Sequence, residues 1–310
     1  MPIWSKTKQK PHCLVTITSS DFVPGTLVML YSFFKHNKWF DGDVIIYACD
    51  LNLQEKQMLE RFPNVIFAEP EKDLSDAIER VVAVSPQLGP RKMIFYSLNI
   101  FRLKGYNRYL YIDSDVLICS DFSELMAMDH PMMCVPDRAT YMGKAKDSIT
   151  YLTVQPQSTT GQYWYRTFNA GIMFFTADWI NEKNYRKLLG FLVPELYQEL
   201  KHPTTDQYLL NKCFHKNYHL LPGTYNFRLG LAEIMKAQEG CTLDTAKLIH
   251  FAGKRKPWVH QHIERAIPKV PLFYEAMMKW QNAYHEYLGF VKQYEDGQSA
   301  QSLLSKGKGE

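Results

Sequence analysis

The run Tyr109-Leu110-Tyr111-Ile112-Asp113-Ser114-Asp115 constrains this chain more than any other. A short strand, apolar throughout, leads straight into two carboxylates one residue apart. A strand without polar alternation fits a sheet covered on both faces. In an open sheet of that kind, ligands collect beyond the carboxyl ends of the strands. Two aspartates there do little for stability but offer hard oxygen ligands to a divalent cation. The pair therefore suggests a metal that in turn holds a phosphate or diphosphate.

The surrounding pattern agrees with that architecture. Residues 13–18, 44–48, 65–67 and 109–112 read as strands, and the stretches after Pro24-Gly25, at 53–61 and at 91–104 read as helices. Strands separated by helical segments imply βαβ units, a mostly parallel sheet and an α/β fold. Further on, 132–135, 171–175, 218–221 and 247–251 are strand-like, and 183–199 and 205–214 are helical. Between them, 138–167 is a polar excursion long enough to be a functional loop. Its aromatics Tyr141, Tyr151, Tyr163, Trp164 and Tyr165 suit either stacking on sugars or packing the segment onto the body.

The net charge of +4 is too small to point to nucleic acid, and no nucleic-acid-binding motif accompanies it. Six scattered cysteines without a CxxC pair indicate a reduced, cytoplasmic setting. Neither a signal peptide nor an apolar run of membrane-spanning length is visible, so a soluble or at most peripheral protein is expected.

A second chemical cluster follows the strand at 247–251: His250-Phe251-Ala252-Gly253-Lys254-Arg255-Lys256-Pro257-Trp258. An imidazole at a strand end can complete a metal site begun by carboxylates. Gly253 permits close backbone approach to a ligand, and Lys256 is a point charge suited to a diphosphate. A lone histidine in an apolar strand is more often structural, and it is the pairing with the two aspartates that gives it weight. Asp41-Gly42-Asp43 repeats the carboxylate spacing but precedes its strand, at the wrong end of the sheet for a ligand, and reads as a turn.

Four motifs stand in the order found in glycosyltransferase family 8, and the chain resembles that family over about residues 13–258. They are Tyr109 to Asp115, Phe168-Asn169-Ala170-Gly171-Ile172-Met173, Asp206-Gln207-Tyr208-Leu209-Leu210-Asn211, and His250 to Trp258 with its His-x-x-Gly-x-x-Lys-Pro-Trp spacing. Val15 to Asp21, followed by Gly25-Thr26-Leu27-Val28, is similar to the family's first strand, loop and helix. The resemblance implies a single GT-A domain with a Rossmann-like sheet flanked by helices. It also implies a UDP-sugar donor (UDP-glucose or UDP-galactose), Mn²⁺ or alternatively Mg²⁺, and hexose transfer with retention to a saccharide or lipid-linked saccharide.

By position, the resemblance makes Asp113, Asp115 and His250 the metal ligands and gives Gly253 and Lys256 the phosphates. Ile17, Ser19 and Ser20 would line the nucleoside pocket, with Ser114 near the ribose. Asn169, Ala170, Gly171, Asp206 and Gln207 would face the donor sugar. Asp206 and Gln207 also suit an ordinary helix start capped by Thr204 or Thr205. Two positions depart from the pattern. Relatives commonly carry Lys or Arg where Ser97 stands, with Arg91 or Lys92 as substitutes, and many have Asp where Pro203 stands.

The domain is expected at 13–260, after a polar segment 1–12 and before a helical extension at 261–292 and a disordered tail at 293–310. The aromatic helix at 271–292 suits either packing on the domain or peripheral membrane contact. Competing readings are a glycogenin-like self-glucosylating protein, a non-catalytic nucleotide-sugar-binding protein and a haloacid-dehalogenase-like phosphatase. Oligomeric state is not legible.

Overall fold

The computed structural model describes residues 10–48, 50–142, 157–158, 163–164, 167–198, 200, 205–214, 217–267, 269–270 and 272–305. Twelve strands appear among them: β1 Lys10–Thr18, β2 Asp43–Ala48, β3 Val65–Ala68, β4 Tyr106–Ile112, β5 Val116–Ile118, β6 Met132–Pro136, β7 Gln157–Ser158, β8 Tyr163–Trp164, β9 Phe168–Thr176, β10 His219–Leu220, β11 Phe227–Arg228 and β12 Leu248–His250. Seven form a sheet in the order β10-β6-β9-β4-β1-β2-β3. Its pairs are parallel except where β9 runs against β4 and β6. The expected α/β fold with a mostly parallel sheet is what forms.

Side-chain alternation explains why these strands are apolar throughout. Cys13 and Val15, Ile45 and Tyr47, Tyr109 and Tyr111, and Met173 and Phe175 enter one core. Their neighbours Leu14, Val44, Ile46, Leu110, Ile112, Ile172 and Phe174 enter the core on the other face. With period two and both faces covered, the central positions are almost all apolar, the small Thr16 and Thr18 of β1 being buried exceptions.

A second, three-stranded sheet in the order β11-β12-β5 places the chemistry. The chain leaves the main sheet at Ile112 and enters the small one at Val116, so Asp113-Ser114-Asp115 spans the gap between them. The helix Val23–His36 packs behind that crossing. Pro24 sits in its first turn, where a missing N–H costs nothing. Ser32 Oγ accepts from Ile118 N at 3.1 Å, and Asn37 Oδ1 accepts from Phe122 N at 2.8 Å. Both side chains are buried and tie the helix to the end of β5 and the chain just after it.

Asp41-Gly42-Asp43 lies at the amino end of β2, away from the crossing, and is structural as expected. Asp43 takes Lys10 Nζ at 2.5 Å and the Tyr106 hydroxyl at 2.7 Å. A Cβ on Gly42 would fall on the His12 carbonyl.

Three expectations change. The helical stretch expected at 91–104 is a 3-10 segment, Pro86–Arg102, which buries Leu88, Phe95, Leu98, Ile100 and Phe101. The helix expected at 183–199 is two helices, Glu182–Leu189 and Pro194–Gln198, separated after Gly190. The tail expected to be disordered from 293 stays helical to Glu295, and a further helix, Ala300–Ser305, buries Leu304 in the core. The apolar Leu303-Leu304 pair within an otherwise polar run supplies that anchor. Phe273–Glu295 presents Phe273, Ala276, Met277 and Trp280 to the body at helical spacing, leaving Tyr274, Met278 and Leu288 exposed. Among the described residues no helix is long and apolar enough to cross a membrane.

Replacing Asn37 by Leu leaves the buried Phe122 N–H without its acceptor, a change expected to cost about 1–3 kcal/mol. Urea unfolding of Asn37→Leu measures it, and a loss under about 0.5 kcal/mol would show that the amide does not hold the helix to the crossing.

Candidate active site

Each aspartate is fixed by a backbone hydrogen bond to a different partner strand. Asp113 N donates to Gly171 O at 2.9 Å, and Phe251 N donates to Asp115 O at 3.0 Å. The first bond extends the β4–β9 ladder, and the second extends β5–β12, in which His250 pairs with Val116. The sequence-distant motifs are thus drawn together by sheet register. Asp113, Asp115 and His250 each offer a ligand atom, all within 4.8 Å of one another. His250 Nε2 stands 3.2 Å from Asp115 Oδ1 and 3.7 Å from Asp113 Oδ2. Two carboxylates and an imidazole fit a divalent cation of hard to borderline character.

Gly171 exists for this imidazole. A Cβ there would lie on Cε1 of His250, 2.8 Å from its Nδ1 and 2.9 Å from Asn169 Oδ1. Gly25 does the same for the helix start, where a Cβ would fall 2.7 Å from the Ser114 carbonyl and against the Trp258 ring. Gly253 has φ +90°, a backbone conformation that favours glycine. Trp258 closes the group by donating its indole N–H to Asp21 O at 2.9 Å.

The two carboxylates do not share one electrostatic fate. Burial pushes Asp113 up to about 7, helped by the neighbouring charge of Asp115 and opposed by His250 and by the Tyr111 hydroxyl, which donates to Oδ1 at 2.9 Å. Burial acts upward on Asp115 too, but His250 and the Lys256 ammonium outweigh it and hold that carboxyl well below the usual range. Asp206 is pushed up to about 6 by burial, although Ser97 Oγ and Gln207 N donate to it at 2.7 and 2.8 Å.

A cavity of about 820 Å³ opens over these groups, within the range of small-molecule sites. Its lining includes Ile17, Ser19, Asp113, Ser114, Asp115, Asn169, Ala170, Gly171, Asp206, Gln207, His250, Gly253 and Lys256, which gathers all but one of the expected site residues. Ser20 is the exception. Its hydroxyl bonds Asp50 O at 3.0 Å and Glu55 Oε2 at 2.9 Å, at the capping box of the helix Leu53–Leu59, and it does not line the cavity. Lys256 lies in the cavity wall, but its ammonium is paired with Asp115 and donates to Phe251 O at 2.9 Å.

The two departures resolve differently. Ser97 is buried with its hydroxyl on Asp206 and does not line the cavity. Arg91 lines the cavity, whereas Lys92 turns away to Glu79 at 2.6 Å. Pro203 and Thr204 lie outside the described residues, as do Tyr151 and Tyr165. Tyr141 is buried in the core under the small sheet rather than presented to a sugar.

Asp137 and Asn226 escaped the sequence reading. Asp137 Oδ2 accepts from Gln207 Nε2 at 3.4 Å. Asn226 bonds His250 Nδ1 at 2.9 Å and Asn169 Oδ1 at 2.8 Å. Each stands at the edge of a strand whose partner is remote in sequence, and only the pairing reveals what it touches. The polar Tyr225-Asn226 pair just before β11 is the faint signal that was available.

Comparison with known proteins accords with this geometry. The model of glycosyl transferase family 8 matches residues 13–262. Glycogenin-1 of Caenorhabditis elegans is 26% identical over 242 residues, which is 75% of this chain and 46% of that protein. Glycogenin of Komagataella phaffii is 25% identical over 259 residues, 77% of this chain and 55% of that protein. The chain therefore spans about half the length of these two relatives. Among solved structures, the galactosyltransferase LgtC with donor and acceptor sugar analogues superposes with TM-score 0.65 at 14% identity, over 88% of this chain and 95% of that one. At that identity the likeness speaks for the fold, which is of the GT-A type.

Two outcomes follow from the geometry. A cation must displace the proton from Asp113, so metal affinity should rise about tenfold per pH unit below about 7 and level off above it. In the metal-free protein, a folded value above the unfolded value near 4 means that stability falls as pH rises through that window. Calorimetric Mn²⁺ titrations between about pH 5 and pH 8 and thermal melts without metal check both signs. An affinity flat across that range would contradict the raised value. Gly171→Ala should tilt His250 and weaken the cation by about 10–100-fold, as loss of ligand orientation does elsewhere. Affinity unchanged in a folded Gly171→Ala protein would place the metal away from His250.

Proposed function

Since the chain belongs to glycosyltransferase family 8, we propose that it is a retaining, Mn²⁺-dependent transferase. It would move a hexose from UDP-glucose or UDP-galactose to a saccharide or lipid-linked saccharide acceptor. The observation that carries this reading is the convergence of Asp113, Asp115 and His250 at the floor of the cavity. A bound Mn²⁺ would neutralise the diphosphate and favour its departure. Asp113, Asp115 and His250 would hold it, and the adjoining Gly253 turn would admit the phosphates closely. Asn169, Ala170, Asp206 and Gln207 would face the sugar across the same cavity.

The role of Gln207 decides how retention is achieved. Its Oε1 accepts from Asn169 Nδ2 at 2.9 Å and from Ala170 N at 3.3 Å, so both lone-pair directions of the oxygen are engaged. An oxygen so occupied is a poor nucleophile. This favours same-face displacement, with the leaving phosphate helping to take the acceptor proton, over a double displacement through Gln207. The carboxylate loop follows the fourth strand and shares its site with His250, which also weighs against the phosphatase reading.

The similarity to glycogenins supports a second reading, self-glucosylation. Steps of one hexose in the intact mass on incubation with UDP-glucose alone would favour it.

A thermal-shift screen of UDP-sugars with and without Mn²⁺ tests the main proposal, because a ligand that binds only the native state raises apparent stability. UDP-glucose or UDP-galactose with Mn²⁺ should raise the melting temperature, and Asp113→Ala and Asp115→Ala should each abolish the metal-dependent part. An unchanged shift in both variants would sink the site. Absence of any UDP release from either sugar by the wild type would leave a binding protein instead of an enzyme.

A further inference from the structure

Asn226 is fully buried, does not line the cavity, and yet joins the metal ligand to the residues that face the sugar. A directed chain of side-chain hydrogen bonds runs through it. Asp137 begins the chain: its Oδ1 accepts from Ala139 N at 2.8 Å and Thr140 N at 3.1 Å, and its Oδ2 accepts from Gln207 Nε2 at 3.4 Å. Gln207 Oε1 then takes Asn169 Nδ2, and Asn169 Oδ1 takes Asn226 Nδ2 at 2.8 Å. Asn226 Oδ1 faces His250 Nδ1 at 2.9 Å.

The direction of this chain is fixed independently at its middle. Backbone N–H groups only donate. Ala170 N points at Gln207 Oε1, 3.3 Å away, and Gly171 N at Asn169 Oδ1, 3.1 Å away, so both oxygens are placed by the main chain of β9. Asn169 can therefore only accept from Asn226, and Asn226 must turn its own oxygen to His250. The imidazole must then carry a proton on Nδ1, which makes Nε2 the nitrogen available to a cation. Nε2 is the atom that faces Asp113 and Asp115.

Resting on the transferase reading above, we propose that Asn226 is a positioning residue that sets the metal-binding tautomer of His250 and the amide orientation of Asn169 and Gln207 together. Metal site and sugar site are then aligned by one buried amide, and neither can rotate without the other losing a partner.

Two variants separate the halves of this role. In Asn226→Ala both links are lost. In the nearly isosteric Asn226→Asp, a carboxylate still accepts from His250 Nδ1–H but cannot donate to Asn169 Oδ1. Mn²⁺ binding is measured by calorimetry on the full chain, UDP release from UDP-glucose and UDP-galactose gives kcat and KM, and thermal melts establish folding. Asn226→Ala should weaken Mn²⁺ by about 10–100-fold and lower turnover as well. Asn226→Asp should hold Mn²⁺ at least as tightly as the wild type within about threefold, yet lose about tenfold or more in kcat. That split is the signature of a coupling residue, and Asn226→Asp alone carries the test if Asn226→Ala does not fold.

Wild-type behaviour in both properties of folded Asn226→Asp and Asn226→Ala would overturn the proposal. So would equal loss of metal and turnover in folded Asn226→Asp, which would make Asn226 a general support of the site. Failure of the wild type to bind Mn²⁺ or cleave either sugar nucleotide would instead overturn the transferase reading on which the proposal rests.

Discussion

The site depends on one constraint: within three residues the chain must pass from one sheet to another. Asp113 is held to Gly171 by the last bond of the large sheet, and Asp115 to Phe251 by the last bond of the small one. Main-chain bonds of this kind cannot shift by a residue without turning every later side chain to the other face. The aspartates are therefore held in place by the same register that fills the two cores. The helix Val23–His36 backs the crossing through Ser32 and Asn37, and Gly25 lets its first turn approach the Ser114 carbonyl.

Bringing two carboxylates into a partly closed site is unfavourable unless other groups share the charge. The structure divides the task unevenly. Lys256 and His250 both lean on Asp115, which is held ionised, while Asp113 has the Tyr111 hydroxyl behind it and the same His250 Nε2 at the longer distance of 3.7 Å. Asp115 is thus held as the anion by these two partners, and Asp113 is the adjustable one. Lys256 belongs to this balance at least as much as to a substrate phosphate, because Asp115 and the Phe251 carbonyl already occupy two of its three N–H groups.

Local patterns carried most of the fold. Apolar runs such as Val44-Ile45-Ile46-Tyr47 announce strands buried on both faces, and the order of strands and helices implies the parallel sheet. The candidate site was legible for two reasons: Asp113, Asp115 and His250 stand out at strand ends, whereas Asn169, Asp206 and Gln207 were placed only by resemblance to glycosyltransferase family 8. What stayed hidden depends on partners far away in the chain. Asn226 and Asp137 take their meaning from a strand and a helix more than twenty residues distant. Ser20 looked like part of the nucleoside loop because nothing local shows that Asp50 and Glu55 draw its hydroxyl aside. The tail failed similarly, since two leucines in a polar run reveal nothing of the groove that receives Leu304.

Ser97 shows how a departure from a family pattern can be absorbed. A basic side chain there would lie against Asp206 and draw its carboxyl down. A serine supplies one hydrogen bond and no charge, so Asp206 stays above the usual carboxylate range. The cavity wall then contains a carboxyl group raised to about 6, beside a Gln207 whose oxygen is already bonded. The Gln207 oxygen is neutral and already bonded, and the Asp206 oxygens accept from Ser97 Oγ and Gln207 N, so neither side chain is a free nucleophile. In the proposed transferase both could still bond sugar hydroxyls, which suits this wall to orienting a donor more than to attacking it. Developing positive charge on the sugar would then be met chiefly by the departing phosphate itself. In the proposed transferase, Ser97 is thus compatible with displacement on one face, with the Asp206 carboxyl held in place by Ser97 and the Gln207 N–H.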